Sequence, residues 1–415
     1  MTVAILSDSP TLTSGFGRTT GHIAGALARA GHAVACFGIK ARPDDLRAGL
    51  PYSVWPAEQG GHWTDTLPEF FASIHPDVLL LNMDAYNALE CVEVCTRAGW
   101  HGPTVSYVCF DGLPVSPTHL DAQRSCAAVW ATSREGAAYL ESEGIAVAGY
   151  APPGVDPEEF RPSADREALR VHAGLTDASV VGVFATNTER KQVARAVAGF
   201  AEAVRRLPGR DLRLYLHCRP RGHWNLRELA ALHGVGDRLL FPSAGDFEEQ
   251  RGVLTAGTAA HSGTAGTEGT TGLPYLPADF SYVDRINVCD VLLNVPHSGD
   301  VEQVILEGQA CGVPLLHTDD EAIMSDAVGT GGILLPAADV GTGRIGQRLH
   351  HVSPHVIGVA LAELIDDPMR RAALRTAGLA NAASYPWSAL ENAALSMVAP
   401  YASPREGNHR ELRSA

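Results

Sequence analysis

The sequence predicts two α/β domains, each built on a doubly wound parallel sheet. Three observations support this fold class. Short apolar segments alternate with amphipathic helical segments in both halves of the chain. Several apolar segments close on an acidic or hydroxyl residue, as buried parallel strands do. A length of 415 residues fits two domains better than one.

The first half contains five strand-like segments, separated by stretches that include a helix from about Thr20 to Ala30 ending at Gly31. The segments are VAILSD, HAVACFG, DVLLLNMD, TVSYVCFD and AVWATS. Ligands of doubly wound sheets bind beyond the carboxyl ends of the strands. We therefore expect Asp8, Asp84 and Asp111 to lie at the rim of one cleft.

A proline-rich segment without periodicity, YAPPGVDPEEFRP, separates the halves and is typical of an interdomain linker. A second strand and helix series follows, interrupted at Thr255–Pro274 by a Gly/Thr-rich stretch expected to be a mobile surface loop. The predicted divisions are 1–155 for the N-terminal domain, 156–384 for the C-terminal domain, 385–402 for a helix crossing back to the first domain, and 403–415 for a disordered tail.

Composition limits the function classes. The net charge of −15 disfavours a broad grip on nucleic acid, which needs a basic surface. No apolar run of about 18 residues occurs, and the first residues lack the features of a signal peptide. The eight scattered cysteines are interpreted as reduced core thiols of a cytoplasmic protein. Richness in Ala, Gly, Arg and Val favours a bacterial source with GC-rich DNA.

Two short segments are typical of phosphate binding. Gly15, Phe16 and Gly17 follow the first strand, where glycines let backbone N–H groups approach a phosphate; a plain tight turn explains them equally well. Arg190 and Lys191 open the first helix of the second half. Cations there oppose the helix dipole, so a diphosphate ligand is favoured over a solvated basic pair.

The stretch 297–319 is the most informative part of the chain. A strand ends, a glycine turn follows, and a helix carries Glu307 before Cys311-Gly312-Val313-Pro314 stops it. An acid on a helix facing a cleft can accept hydrogen bonds from the vicinal hydroxyls of a ribose. By spacing alone, a helix-surface glutamate is the favoured interpretation.

Four pieces together resemble the retaining glycosyltransferases of family 4, in the glycogen-synthase-like group with the GT-B fold. They are SGFGRTTGHIAGALARAGHAV, the linker PPGVDPEEFRP, the segment TERKQ, and VCDVLLNVPHSGDVEQVILEGQACGVPLLHTD. The resemblance covers roughly residues 1–400, apart from the Gly/Thr-rich stretch. It implies two Rossmann-like domains facing across a cleft, with the nucleotide on the C-terminal domain and the acceptor on the N-terminal one.

The resemblance also implies residue roles. Gly15 and Gly17 would face the donor phosphates, and Arg190 and Lys191 would bind the diphosphate and offset its charge as it leaves. Glu307 would hold the ribose. Asp111 takes the place near the reacting carbon that often holds a histidine in related enzymes. Capping of the next element, or lining of the acceptor pocket, remains an equal alternative for Asp111.

Two departures from the family pattern bear on the donor. Gly299 stands where the first glutamate of the E-x7-E motif is expected, and that glutamate contacts the donor sugar in the family. Asp300 or Glu302 could take its place. Thr186 stands five residues before Lys191, where the family has its Gly-Arg pair, and Arg190 could compensate.

The sequence therefore predicts a retaining, metal-independent hexosyltransferase without a cofactor. We expect a UDP- or GDP-linked sugar as donor and a small-molecule acceptor, such as a natural product or a sugar-like compound. Nucleic acid and integral membrane segments are not expected, and a homodimer is compatible with the sequence. Two alternatives remain: a non-catalytic GT-B protein that binds a nucleotide sugar, and a nucleotide-sugar epimerase.

Overall fold

The computed structural model describes residues 1–41, 49–57, 62–242 and 275–402 of the chain. In these ranges the predicted fold class is confirmed, because a separate parallel sheet forms in each half. Both faces of the first sheet are buried. In its first strand, Val3 and Ile5 belong to one apolar core, while Ala4 and Leu6 belong to a second core. Burial on two faces explains why the strands read as nearly continuous apolar segments.

The strands of the N-terminal sheet are β1 (Thr2–Asp8), β2 (Ala33–Ile39), β3 (Ser53–Pro56), β4 (Val78–Asp84), β5 (Thr104–Cys109), β6 (Ala128–Ala131) and β7 (Gly149–Tyr150). The helices of this half are α1 (Gly15–Arg29), α2 (Leu67–Ile74), α3 (Ala85–Arg97), α4 (Pro117–Ser125) and α5 (Arg134–Ser142). The strand order is β3-β2-β1-β4-β5-β6-β7, with parallel pairing throughout. The order reverses between β1 and β4, which opens a crevice at their carboxyl ends.

The strands of the C-terminal sheet are β8 (Ser179–Phe184), β9 (Leu212–His217), β10 (Leu239–Leu240), β11 (Val291–Asn294), β12 (Leu315–Thr318) and β13 (Gly332–Leu335). Its helices are α6 (Arg166–His172), α7 (Val193–Arg206), α8 (Leu226–Leu232), α9 (Tyr282–Asn287), α10 (Gln303–Ala310), α11 (Ile323–Val328), α12 (Pro354–Asp366) and α13 (Pro368–Ala383). The order is β10-β9-β8-β11-β12-β13, so this sheet reverses between β8 and β11. A second crevice opens there.

A hairpin that the sequence did not lead us to expect lies between β13 and α12. Strand β14 (Ala338–Thr342) pairs antiparallel with β15 (Arg348–His351), and the pair belongs to neither parallel sheet. Every residue of β14 is exposed. The hairpin was missed because neither strand shows the apolar alternation that predicts a half-buried strand.

The helix α14 (Trp387–Val398) packs against the N-terminal half. Leu390, Ala394 and Met397 belong to the same apolar core as Val3 and Ile23. At the surface, the ring of His22 on α1 stacks on Trp387 with 4.0 Å between centroids. The end of the described chain therefore completes the core around its beginning.

The first helix differs from its predicted bounds. It begins at Gly15 rather than near Thr20, because the Ser14 hydroxyl caps it by accepting a hydrogen bond from Gly17 N at 3.1 Å. The glycine segment is therefore the first helical turn and not a loop before the helix.

The cysteine prediction needs a smaller correction. All eight cysteines are free, but Cys109 and Cys126 are only half-buried. The predicted mobile loop at 255–274 and the predicted tail at 403–415 lie outside the described residues.

Candidate active site

Basic residues of the C-terminal half meet an acid of the N-terminal half where the two crevices face each other. Arg190 and Lys191 lie in a tight turn between β8 and α7. The turn ends on Gln192, whose φ of 50° is in the left-handed region that side chains rarely adopt. Arg190 Nε lies 3.4 Å from Oδ1 of Asp111, just beyond β5. The predicted diphosphate pair and the predicted acid near the reacting carbon thus share one cleft.

Glu302 neutralises both cations. Its Oε1 lies 3.4 Å from Arg190 Nη1 and forms an ion pair with Lys191, while the Asn294 amide donates to its Oε2. Burial by itself would raise the pKa of Glu302, but Lys191 and Arg190 outweigh burial and lower it to about 2. Burial, and then the charge of Arg190, lower the pKa of Lys191. An incoming diphosphate would have to replace Glu302 and Asp111 as the partners of these cations.

Asp84 adds a further carboxyl beside Asp111. It occupies the N-cap position of α3, at the carboxyl end of β4, and is buried. Burial raises the pKa of Asp84 well above its ordinary value, and the charge of Asp111 raises it further. Burial, and then the charges of Asp84 and Asp111, raise the pKa of Tyr86. This acidic group can therefore retain a proton at a pH where an exposed aspartate would have lost it.

The side chain of Asp300 joins the two halves of the chain through hydrogen bonds. Its Oδ2 accepts hydrogen bonds of 2.6 Å from the backbone N–H of Phe110 and from the hydroxyl of Thr132, both in the N-terminal half. Its Oδ1 accepts from Val301 N. Asp300 is 6% exposed, and burial raises its pKa. These bonds leave Asp300 poorly placed to contact a donor sugar.

The space beside Gly299 is filled by Glu302. A Cβ atom at position 299 would lie 3.1 Å from Glu302 Oε1 and 3.3 Å from Arg190 Nη1. A glutamate there would need the volume that the Glu302 carboxylate now occupies. Of the two residues considered as substitutes, Glu302 is thus the one that places a carboxylate next to position 299.

Glu307 is buried on α10, at 2% exposure, and not on the helix surface that spacing alone favoured. The hydroxyl of Tyr282 donates to its Oε2 at 2.9 Å. Its Oε1 forms an ion pair with Arg18, which lies on α1 in the opposite half. Burial opposes the charge of Arg18, but Glu307 outweighs this effect and raises the pKa of Arg18.

Sequence reasoning missed Arg18 and Tyr282. A signal for Arg18 was present, because it lies one residue after the glycine segment, in the first turns of α1, where a cation opposes the helix dipole. The same consideration had pointed to Arg190 and Lys191. Tyr282 carried no such signal, since its distance from Glu307 in the sequence hides their contact.

The glycine segment has two different environments. A Cβ at Gly17 would lie 2.5 Å from Leu12 O and 2.7 Å from Ser9 O, so only glycine fits there. Gly15 is open to the cleft, where its nearest neighbour is Gln303 Oε1 at the start of α10, 3.8 Å from a Cβ at position 15. Phe16 is half-buried, and its carbonyl accepts a hydrogen bond from Thr20 Oγ1 at 2.7 Å.

His297 connects the hairpin to the basic turn. Its N–H donates to Arg190 O at 3.0 Å, and its carbonyl accepts from His350 N, on β15, at 2.8 Å. Burial, followed by the nearby charges of His351 and Arg190, lowers the pKa of His297 to about 4. The imidazole is therefore neutral at physiological pH.

The described part of the chain contains neither a metal-binding cluster nor a membrane-spanning helix. In 1–41, 49–57, 62–242 and 275–402, no group of three or more His, Cys, Asp or Glu side chains is arranged to hold a metal ion. Over the same ranges, none of the helices combines the length and apolarity needed to span a bilayer.

Comparison with known proteins places this geometry in context. No family model matches the chain. The chain is similar to D-inositol 3-phosphate glycosyltransferase from Stackebrandtia nassauensis, with 29% identity over 251 residues. The match covers 57% of this chain and 45% of that protein, so it spans less than half of the relative's length.

Solved structures show the fold. Sucrose-phosphate synthase from Thermosynechococcus elongatus superposes with a TM-score of 0.68 at 18% identity, covering 97% of this chain and 98% of the other. HepE from Anabaena, in complex with UDP and glucose, gives a TM-score of 0.64 at 16% identity, covering 96% and 100%. The two sheets facing across a cleft therefore form the GT-B architecture seen in glycosyltransferases.

Proposed function

We propose that this protein is a retaining, metal-independent glycosyltransferase that moves a hexosyl group from a nucleotide-diphosphate sugar to a small hydroxylated acceptor. The main observation that supports this proposal is the position of Arg190 and Lys191. These two half-buried cations lie at one crevice and face Asp111 at the other. Fixed cations in a water-poor cleft stabilise a leaving diphosphate without reorganisation at the moment of reaction. The partial sequence match to a glycosyltransferase supports the same activity.

The donor site is proposed to lie between the N-termini of α1 and α10. Gly15 and Gln303 begin these helices and approach each other across the cleft. Both polar atoms of the Gln303 side-chain amide are buried without a hydrogen-bond partner among the described residues. Two converging helix N-termini favour an anion. On this proposal the phosphates lie near Gly15, Arg190 and Lys191, and the ribose binds Glu307.

The reaction we propose proceeds by attack on the same face as the leaving group. The departing phosphate, paired with Arg190 and Lys191, assists removal of the acceptor proton. Glu302, released from its cations by the diphosphate, is positioned beside Gly299 to accept hydrogen bonds from the donor sugar. Asp111 is proposed to lie near the reacting carbon, beside the buried carboxyl of Asp84, whose pKa is raised by burial and then by the charge of Asp111.

The finer assignments belong to the same proposal. We assign the chain to family 4 and to a bacterial cytoplasm, in keeping with its eight free cysteines. UDP is the nucleotide to test first, because the similar HepE structures are described in complex with UDP. GDP is the second choice. No cofactor is required by the chemistry proposed.

The first experiment is thermal unfolding with UDP-, GDP-, dTDP- and ADP-glucose and with the bare diphosphates, in EDTA. A ligand at 100 times its dissociation constant adds about 2.7 kcal/mol to the free energy of unfolding. Lys191→Met should reduce this gain to about 1.4 kcal/mol or less at the same ligand concentration, whereas Arg205→Ala, which changes an exposed arginine on the following helix, should keep it. Absence of a shift with every nucleotide would contradict the proposal.

One observation favours a second candidate, a GT-B protein that binds a nucleotide sugar without catalysis. Glu302 already neutralises the cations, and Gly299 lacks the donor-contacting glutamate of the family. The two candidates are distinguished by slow hydrolysis of the donor in the absence of acceptor, which is expected of the enzyme and not of the binding protein. Release of UDP from UDP-glucose without acceptor, lost in Lys191→Met, supports the enzyme. Binding without release supports the second candidate, and conversion of the sugar without release would indicate an epimerase.

A further inference from the structure

The carboxylate of Asp300 reaches the ends of two neighbouring strands in the opposite half of the chain. Phe110 and Thr132 are the residues that directly follow β5 and β6. Oδ2 of Asp300 accepts a hydrogen bond of 2.6 Å from the backbone N–H of Phe110 and another of 2.6 Å from the hydroxyl of Thr132. Because β5 and β6 are adjacent in the parallel sheet, one oxygen atom binds both strand ends. Asp300 therefore lies at the edge of the N-terminal sheet where the carboxyl ends of the strands meet.

Apolar side chains shield these bonds from water. Asp300 and Phe110 are both buried. Val301 and Ile323, two apolar residues of the C-terminal half, pack in the same apolar core of the N-terminal half as Phe110. Ile323 is 1% exposed. A charge-assisted hydrogen bond in such surroundings is stronger than one at the surface. The contact therefore holds the two halves at a defined distance.

The loop that carries Asp300 also contacts the residue after Asp111. Gly112 has a φ of 116°, and a Cβ atom there would lie 2.8 Å from Cβ of Ser298, so only glycine allows this approach. The residue before Asp111, Phe110, is bonded to Asp300. Asp111 is thus held on both sides by one loop of the C-terminal half.

The same loop is bonded to the basic turn. Arg190 Nη1 donates to Ser298 O at 3.0 Å, and Glu302 forms an ion pair with Lys191. Across the cleft, Arg190 Nε lies 3.4 Å from Asp111 Oδ1. The loop 298–302 therefore contacts both the cations proposed to bind the diphosphate and the segment that carries the acid opposite them.

We propose that Asp300 is a positioning residue: by binding the Phe110 N–H it fixes the segment that carries Asp111 to the C-terminal half, and so sets the position of the Asp111 carboxylate relative to Arg190. The proposal rests on the proposed function, because it names a residue that acts through Asp111 in the same site. Asp300 then takes no part in binding the donor sugar, although the sequence offered it as a candidate for that role. Removing its carboxylate should free the segment without removing either cation.

Hydrogen exchange tests the bond without any ligand. Exchange of the full chain is followed by mass spectrometry in a peptide that contains 110–112. Asp300→Ala should accelerate exchange of the Phe110 amide about tenfold or more, since it removes the charged acceptor of that N–H. Asp279→Ala, which changes an exposed aspartate of the same half, should leave the rate unchanged. Equal exchange in the wild type and in Asp300→Ala would overturn the proposal.

The second measurement separates positioning from donor binding. Asp300→Ala should slow UDP release from saturating UDP-glucose about tenfold or more, while the affinity for UDP falls by less than about threefold, because both cations are kept. Thr132→Val, a milder change that keeps the charge of Asp300, should show the same division between rate and affinity. Thr132→Ser keeps the hydroxyl and should release UDP at nearly the wild-type rate. Thr96→Val, at an exposed threonine of the same half, should change neither quantity. Parallel losses of affinity and rate in Asp300→Ala and Thr132→Val would overturn the proposal.

An effect that acts through Asp111 is non-additive with the loss of that carboxylate. In an Asp111→Asn background, adding Asp300→Ala should slow UDP release much less than it does in the wild type. Equal slowing in both backgrounds would overturn the proposal. If release depends on Asp111 but not on Asp300, the proposed function stands and the positioning role fails. If the wild type neither binds nor hydrolyses UDP-glucose, while exchange over 110–112 still depends on Asp300, the proposed function fails and the positioning of Asp111 stands.

Discussion

Arg18 on α1 and Glu307 on α10 form an ion pair that joins the two halves of the chain across the cleft. Glu307 is almost fully buried, so loss of Arg18 would leave a buried carboxylate with Tyr282 as its remaining side-chain partner among the described contacts. Arg18→Ala is therefore expected to lower the free energy of unfolding by about 2 kcal/mol. Urea denaturation measures this change.

Arg29→Ala is the matched control, because Arg29 lies on the same helix and pairs with Glu391 while remaining 62% exposed. Arg29→Ala should lower the free energy of unfolding by less than about 1 kcal/mol. Equal costs for the two variants would mean that the Arg18–Glu307 pair is no better protected from water than a surface pair.

Glu307 and Lys191 should affect different parts of the nucleotide. If Glu307 binds the ribose as proposed, Glu307→Ala removes a charged acceptor of its hydroxyls and should weaken UDP and uridine alike, by about tenfold or more. Lys191→Met should weaken UDP by a similar factor and leave uridine unchanged. Calorimetric titration of both ligands tests this, with Glu363→Ala, an exposed glutamate, as control. Equal losses of UDP and uridine in Lys191→Met would contradict its diphosphate role.

Gly299→Glu would create the E-x7-E spacing of the family that the sequence resembles, but it is not expected to raise activity. The new side chain would crowd the Glu302 carboxylate and Met324 Sδ, each 3.1 Å from the Cβ position. We expect lower stability and slower UDP release from UDP-glucose. The double variant Gly299→Glu/Glu302→Gln should recover part of the lost stability and part of the lost UDP release, because one of the two carboxylates has been removed. The coupling free energy between neighbouring residues is commonly about 0.5–3 kcal/mol. Additive losses would argue against Glu302 occupying the place of the missing glutamate.

His297 should make the protein sensitive to mild acid. Its pKa is lowered to about 4 in the folded state, against an ordinary value of about 6.5. Below about pH 6.5 this histidine becomes protonated in the unfolded chain but stays neutral in the folded chain. The free energy of unfolding therefore decreases as the pH falls from about 6.5 to about 4. His297→Gln should flatten this part of the stability profile. His355→Gln, which changes a largely exposed histidine, should not; an identical slope in wild type and His297→Gln would refute the prediction.

The fold was predictable because its signals are local. Strands such as β1 and β4 begin with a run of apolar residues and end on an aspartate, and each precedes a helix or turn whose residues are recognisable in the sequence. The helix that carries Glu307 was recognised from a short pattern. The helix start at Gly15 was misplaced because glycines suggested a loop, whereas the Ser14 cap determines where the helix begins.

The site was predictable only in part, because its contacts join distant segments. Arg190, Lys191 and Glu307 could be proposed from their places in the sequence. The pairing of Glu302 with the basic turn joins two segments of the C-terminal half that are far apart in the sequence. The pairing of Asp300 with Thr132 depends on how the two halves meet. The exposed strand β14 gave no pattern to detect, yet it pairs with β15, where His350 N donates to the carbonyl of His297 beside the basic turn.

The return of α14 to the N-terminal core has a consequence for synthesis. Leu390, Ala394 and Met397 complete the apolar layer around Val3 and Ile23, so a nascent chain cannot bury that layer until α14 leaves the ribosome. A fragment comprising residues 1–155 would expose this apolar layer to solvent, and such a surface promotes aggregation. The two halves have separate sheets, but the apolar core of the first half is complete only when α14 has also been synthesised.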